Sequence, residues 1–294
     1  MTQHLPATDN GNFEIVADGL RMPECPRWHG GRLWFSDIRA HVVCRLDDDH
    51  IAVVHRFPDE EEPAGLGWLP NGNLLVAGMI RRVLYRVSGG HSRVHADLKS
   101  LAAHQINDMI VTSDGTAFVT QLGFDLDAPV PNPQPTVVIR VDPDGVVSMA
   151  ADDLMVPNGI AIDSAESTLV VAESGAARLS RFALRDGLLT DRTYEALPGT
   201  EVIAFSAPDG LCLDEQGGRW VADSINRRVF RVQAGVITDE HHLGQFALAC
   251  ALGGHDRRSL YICVTGAWHR SDEPEEPTGR ILRIPVDVPG TGRP

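Results

Sequence analysis

This chain of 294 residues lacks most of the features that tie a protein to a membrane, a nucleic acid or an oxidising compartment. No run of about 18 apolar residues occurs, so nothing in it reads as a transmembrane helix. The opening MTQHLPATDNGNF has neither a basic n-region nor an apolar h-region, and no signal peptide is expected. Cysteines are few: Cys25, Cys44, Cys212, Cys250 and Cys263, with no C-x-x-C pair and most in apolar, strand-like runs. They read as reduced core residues, which points to the cytoplasm. Positive charge is scarce, with 26 Lys and Arg against 40 Asp and Glu, a formal net charge of −14. Such a surface repels nucleic acid and anionic membranes, and leaves small molecules and cations as partners. There is no G-x-S-x-G segment, so a serine-hydrolase elbow is not expected. The composition does not disclose an oligomeric state.

Turns and short strands are abundant. Apolar runs recur as RLWFSD (32–37), NLLVAG (73–78), TAFVTQ (116–121), TLVVAE (168–173), RWVADS (219–224) and SLYICV (259–264). Turn signals such as Pro70-Asn71-Gly72 and Asp114-Gly115 precede them, and the runs read as buried strands. Each is followed by an apolar strand carrying an arginine: Arg45, Arg86, Arg140, Arg181, Arg231 and Arg283, at steps of 41, 54, 41, 50 and 52 residues. Six all-strand units of this length predict an all-β fold, a six-bladed β-propeller, rather than a solenoid of shorter repeats. The expectation is one domain over 1–294, with blades at about 14–58, 59–98, 99–150, 151–200, 201–243 and 244–288.

Two units are longer than the rest. Leu33 to Arg45, Leu74 to Arg86, Leu169 to Arg181 and Arg219 to Arg231 each span 12 residues, but Ala117 to Arg140 and Leu260 to Arg283 span 23. The extra residues contain FDLDAPVPNPQP (124–135) and WHRSDEPEEP (268–277), which are polar and Pro-rich and read as loops.

Four unit entrances hold an oxygen-bearing residue: Glu24 in PECPRW, Asn107 in QINDM, Asn158 in VPNGI and Asp209 in APDGL. Their steps of 83, 51 and 51 residues correspond to whole blades. Equivalent positions on different blades meet near a propeller axis, so two anionic and two neutral oxygen donors converge there, a set suited to a hard cation. Nitrogen and sulfur donors are missing from these positions, which argues against a zinc cage. Taken singly, Asn-Gly and Asp-Gly are ordinary turns.

The segments E-C-P-R-W…L-W-F-S-D (24–37), N-D-M (107–109), P-N-G-I-A (157–161) and P-D-G-L-C-L-D-E-Q-G…W-V-A-D (208–223) together resemble the regucalcin, gluconolactonase and luciferin-regenerating enzyme family, with diisopropyl-fluorophosphatase more distant. The resemblance runs from about Glu14 to Val288. It implies a six-bladed propeller with one central divalent ion. It implies that Glu24, Asn158 and Asp209 are ligands, that Asn107 lines the site against ion or substrate, and that Asp209 is the general base. Two positions depart from the family. Cys25 stands where glycine is usual, and Gln105 stands where sugar-lactone members carry arginine.

Hydrolysis of a small cyclic ester needs a polarised carbonyl, an activated water and a stabilised oxyanion. A cation supplies the first and third, and a carboxylate beside it accepts the proton. The expected activity is a metal-dependent lactonase with Asp209 as base. Calcium fits the donors best, and magnesium, manganese or zinc fill the same cage. The alternatives are a phosphotriester or fluorophosphate hydrolase on the same ion, and a non-enzymatic ligand- or calcium-binding propeller. The two insertions, 123–135 and 266–278, are expected to sit over the site as a partial lid. Gln105, Phe124, Asp125, Trp268 and His269 are candidate substrate contacts beside Asn107. Asp37, Glu173 and Asp223 are expected to fix loops by accepting backbone N–H bonds. The acidic runs 47–49 and 60–62 read as solvated.

Overall fold

A computed structural model describes residues 13–47, 50–128 and 130–292, so Asp48 and Asp49 of the first acidic run lie outside the described residues. After β1 (Glu14–Leu20) come β2 (Pro23–His29), β3 (Arg32–Asp37), β4 (Val42–Asp47) and β5 (His50–Arg56), then β6 (Pro63–Trp68), β7 (Leu74–Gly78), β8 (Val83–Ser88) and β9 (His91–Asp97). The third and fourth groups are β10 (Ile106–Val111), β11 (Ala117–Gln121), β12 (Pro135–Val141), β13 (Val147–Met155), and β14 (Pro157–Ile162), β15 (Thr168–Glu173), β16 (Arg178–Arg185), β17 (Leu188–Ala196). The last strands are β18 (Pro208–Leu213), β19 (Arg219–Asp223), β20 (Arg228–Gln233), β21 (Val236–His242), β22 (Phe246–Gly253), β23 (Ser259–Thr265) and β24 (Gly279–Pro285).

These strands form six four-stranded antiparallel sheets, the blades of a propeller. Five sheets are consecutive meanders. The sixth is β22, β23 and β24 completed by β1, which pairs with β24. The expected first blade began at residue 14 and is corrected here: residues 14–20 belong to the last blade and close the ring. The expected boundary at 150 also falls inside β13, a nine-residue strand.

The core is six layers, one between each pair of neighbouring blades. Leu75, Leu84, Met109 and Ile139 fill the layer between the second and third blades. Trp220, Val229, Ile262 and Leu282 fill that between the fifth and sixth. Middle strands are therefore covered on both faces, as β7 is along its whole length. This is why they read as continuous apolar runs rather than alternating ones.

Each innermost strand carries a register shift near its start, between Glu24 and Arg27, Pro63 and Leu66, Ile106 and Met109, Pro157 and Ile160, Pro208 and Leu211, and Ala247 and Ala249. A bulge bends the strand and re-aims the side chains beside it. Neighbouring innermost strands approach so closely there that some positions admit only glycine. A Cβ on Gly159 would lie 2.5 Å from the Asp209 carbonyl oxygen, and one on Gly210 would lie 2.4 Å from the Ala249 Cβ. At the far ends of these strands a cavity of about 30 Å³ is lined by Arg27, Cys212, Cys250 and Thr291 among others. The C-terminal segment covers it, with the Thr291 amide donating to the Leu213 carbonyl at 3.2 Å.

Candidate active site

Glu24, Asn107, Asn158 and Asp209 are each the second residue of an innermost strand, in β2, β10, β14 and β18. The bulges lie at these positions, so all four occupy one level of the propeller. The second and sixth blades offer Ala64 and Ala247 at the same place, and the donor ring is open there. Asn107 Nδ2 donates to Asn158 Oδ1 at 2.5 Å. Asn158 is also held through its backbone carbonyl, which accepts from Thr120 Oγ1 at 2.7 Å, and its Nδ2 reaches Ser174 Oγ at 3.4 Å. Glu24 Oε2 accepts from the Cys25 amide at 2.9 Å.

Both carboxylates of the set are buried. Burial pushes the Glu24 carboxyl up to about 8, opposed by the Cys25 amide and reinforced by the charge of Asp108. Burial, and then the charges of Glu24 and Asp108, raise the Asp209 carboxyl well above the usual range. Asp209 Oδ1 is buried and has no hydrogen-bond partner. The nearby Arg27 guanidinium lowers the Glu24 carboxyl only in part, and its hydrogen bonds go instead to Asp108 (Nη2 to Oδ1, 2.6 Å) and to the Met109 carbonyl (2.8 Å). Two buried carboxylates with an orphaned oxygen, flanked by two amides, suit a divalent cation bound through oxygen. Among the described residues no three His, Cys, Asp or Glu side chains group as a metal site. The set here is two carboxylates and two amides, so its fit rests on the Asp209 orphan and the repulsion between carboxylates.

Arg27 and Asp108 form a buried ion pair behind the donors that sequence reasoning passed over. The available signal was a charged residue, Arg27 in β2 and Asp108 in β10, inside strands buried along most or all of their length. Asp108 occupies the bulge position that Gly65, Gly159 and Gly210 fill in other blades. Cys25 occupies it too, with φ of 49°, in the left-handed region that favours glycine. This is one of the two positions that depart from the family pattern.

A cleft of about 490 Å³ is walled by Met22, Ile38, Met79, Trp268, His269 and Arg270 among others; none of Glu24, Asn107, Asn158 and Asp209 lines it, and it reaches the donor level through Cys25, the neighbour of Glu24. Its floor residues Met22, Ile38 and Met79 pack on Cys25 and Ala64. Both insertions contribute walls. From the sixth-blade insertion come Trp268 and His269, whose rings meet edge to face at 4.5 Å. From the third-blade insertion come Leu126, Asp127, Ala128 and Pro131. Phe124 is not a wall residue; it buries its ring against Leu122 and Val156. Gln105 and Asp125 are not wall residues either. Gln105 Nε2 donates to Asp125 Oδ1 at 3.3 Å, its Oε1 accepts from the Leu126 amide at 3.3 Å, and together they anchor the insertion to its blade.

Asp37, Glu173 and Asp223 accept the Met22, Met155 and Ala207 amides at 2.8, 2.8 and 3.0 Å, as loop-fixing residues do. The second acidic run departs from expectation. Glu61 and Glu62 are buried, because Glu61 accepts from Tyr85 Oη at 2.9 Å and from the Ile80 amide at 3.0 Å, while Glu62 pairs with Arg270. All five cysteines are free, and no described helix is long and apolar enough to cross a membrane.

Residues 22–266 match the family described as the SMP-30/Gluconolactonase/LRE-like region. Over 298 residues the chain is 27% identical to the pentonolactonase XacC of Haloferax volcanii, covering 95% of each protein. It is 32% identical over 217 residues to the lactonase drp35 of Staphylococcus aureus, covering 71% of this chain and 65% of that one. A calcium-binding protein, regucalcin, from Agrobacterium tumefaciens shares the fold, with TM-score 0.73 at 18% identity over 95% of this chain and 97% of that one. The chain belongs to the SMP-30/gluconolactonase/LRE-like family.

Proposed function

We propose that this protein is a lactonase that hydrolyses a small cyclic ester with the help of one divalent cation, calcium by its donor chemistry. The observation that carries the reading is the buried Glu24 and Asp209 pair, with Asp209 Oδ1 unpartnered, beside a cleft of substrate size. The lactonase activity named for its relatives supports it. Glu24, Asn107, Asn158 and Asp209 would hold the ion. When bound, the cation offsets the repulsion of the two carboxylates, polarises the ester carbonyl and makes a nearby water more acidic.

The chain's own groups do the rest. The Asp209 carboxylate accepts the proton of the attacking water and returns it to the ring oxygen as the ester opens. Glu24 supplies the second negative charge of the ligand set. Asn107 and Asn158, bonded to each other, keep the amide side of the set in place. Trp268 and His269 wall the cleft and exclude bulk water from one side. The free cysteines fit a reducing compartment such as the cytoplasm, which supports that location.

A pH-indicator assay on a panel of γ- and δ-lactones tests this, using chelator-stripped, calcium-restored and Asp209→Ala protein. The expected result is turnover that needs the cation and falls by about 10²–10⁴-fold in Asp209→Ala, the usual worth of a positioned base. Tight calcium binding with no lactone turned over refutes the lactonase and sends the same protein to a fluorophosphate assay.

A further inference from the structure

The four donors differ in what they need in order to hold a cation. Glu24 and Asp209 are carboxylates, and a carboxylate presents oxygen whichever way it turns. Asn107 and Asn158 are amides, with an oxygen at one end and an NH₂ group at the other, and only the oxygen end attracts a cation. The backbone of Asn158 is anchored, since its carbonyl accepts from Thr120 Oγ1 at 2.7 Å. Its amide plane is a separate matter, because the terminal torsion of asparagine is broad and roughly two-fold.

Ser174 opens the short 3-10 turn Ser174–Ala176 after β15, in the same blade as Asn158. Its hydroxyl reaches across to the fifth blade and donates to the Pro208 carbonyl at 2.6 Å. Pro208 is the residue before Asp209. A carbonyl only accepts, so the Ser174 hydrogen is taken and its oxygen is left to accept. Asn158 Nδ2 donates to it at 3.4 Å, the longest link of the chain, and this turns Asn158 Oδ1 away from Ser174. Asn107 Nδ2 donates to that Oδ1 at 2.5 Å, so the nitrogen end of Asn107 is taken as well. In both amides the N–H end is bound within the chain, and oxygen lone pairs are what remain for a cation. The equivalent residues of neighbouring blades make no such link. Ile38 and Met79, which follow β3 and β7, have no hydroxyl. Ser224, which follows β19, turns its hydroxyl back to the Ala207 carbonyl of its own blade at 3.4 Å.

We infer that Ser174 is a positioning residue of the cation site: its hydroxyl fixes the orientation of the Asn158 amide, and through it that of Asn107, so that both present oxygen. This role deepens the cation-assisted reading proposed above and rests on it.

Calorimetric titration of calcium chloride into chelator-stripped protein tests this, in wild type, Ser174→Ala, Ser174→Thr and Ser224→Ala. Ser174→Ala is expected to bind calcium about tenfold more weakly, the low end for a residue that orients a metal ligand, because its bond to Asn158 is long. Ser174→Thr keeps the hydroxyl and should recover most of the affinity. Ser224→Ala removes the equivalent hydroxyl of the neighbouring blade and should match wild type. The same Ser174→Ala change is then made on Asn158→Asp, where both ends of the side chain are oxygen and nothing needs orienting. There it should lose its effect, whereas a purely structural role through Pro208 keeps it. Where Asn158→Asp does not fold without calcium, the affinities are read by chelator competition from loaded protein. Should Ser174→Ala fail to fold, Ser174→Cys, of nearly the same shape and only a weak donor, takes its place in each comparison. A Ser174→Ala affinity within about twofold of wild type overturns the proposal. So does a Ser174→Thr protein as weak as Ser174→Ala, or an undiminished loss in the Asn158→Asp background. Wild type that binds no calcium removes the cation reading and this proposal together. Calcium binding without lactone turnover removes only the lactonase, and the Ser174 comparisons still decide.

Discussion

Glu24 and Asp209 place an electrostatic load on the cation-free fold, and replacing Glu24 with glutamine should remove much of it. The folded chain holds the Glu24 proton up to about 8, against an ordinary value of 4.5. Between those values the folded state binds more protons than the unfolded chain, so rising pH favours unfolding. At about 1.4 kcal/mol per pH unit, going from pH 5.5 to 8.5 should cost the cation-free wild type on the order of 3 kcal/mol through this group alone. Asp209, raised by burial and by Glu24, acts in the same direction. Three partly buried histidines, His29, His55 and His95, have lowered pKa values and push the other way below neutral pH. They cancel in the difference between wild type and Glu24→Gln, which is the quantity to measure. Thermal unfolding by circular dichroism in chelator should show Glu24→Gln gaining on wild type between pH 5.5 and 8.5. The gap should widen by roughly 6 °C, at about 2 °C per kcal/mol for a chain of this size. Added calcium should raise the wild-type Tm more at pH 8.5 than at 5.5, and should do little for the variant. A gap that stays constant with pH would refute the claim that Glu24 is a strained, protonated carboxyl awaiting a cation.

Two further changes test the frame around the site. Arg27→Met leaves Asp108 buried without its guanidinium and should lower the unfolding free energy by about 3–5 kcal/mol in urea titrations, with Arg27→Met/Asp108→Asn recovering part of the loss. Gly210→Ala drives a Cβ to within 2.4 Å of the Ala249 Cβ and should cost about 1–3 kcal/mol, with weaker calcium binding by calorimetry, because the strand carrying Asp209 must shift.

The repeat was legible because its cause is local. Strands β3, β7, β11, β15, β19 and β23 are covered on both faces, so each reads as an apolar run at a regular interval. The outer strands were not legible. β9, HSRVHAD, and β21, VITDEHH, lie at sheet edges with mostly exposed side chains and carry no apolar signature. That Glu24, Asn107, Asn158 and Asp209 share one level of the propeller was visible from their phase alone, as they recur at whole-blade steps.

Sequence alone determined the all-strand class, the six units, the long connections of the third and sixth units, and the oxygen-bearing residues at four strand entrances, because each is written in the order of neighbouring residues. Tertiary structure decided the rest. It paired Glu14 with Arg283 so that β1 closes the sixth blade rather than opening the first. It buried Glu61 and Glu62 from an acidic run that reads as solvated, and drew Arg27 and Asp108 together from strands 81 residues apart. It turned Phe124 into a packing cluster while Leu126 and Pro131 faced the cleft. These outcomes depend on which distant groups share a desolvated space, and the free energy of a buried charge or ring is set by those neighbours, not by its place in the chain.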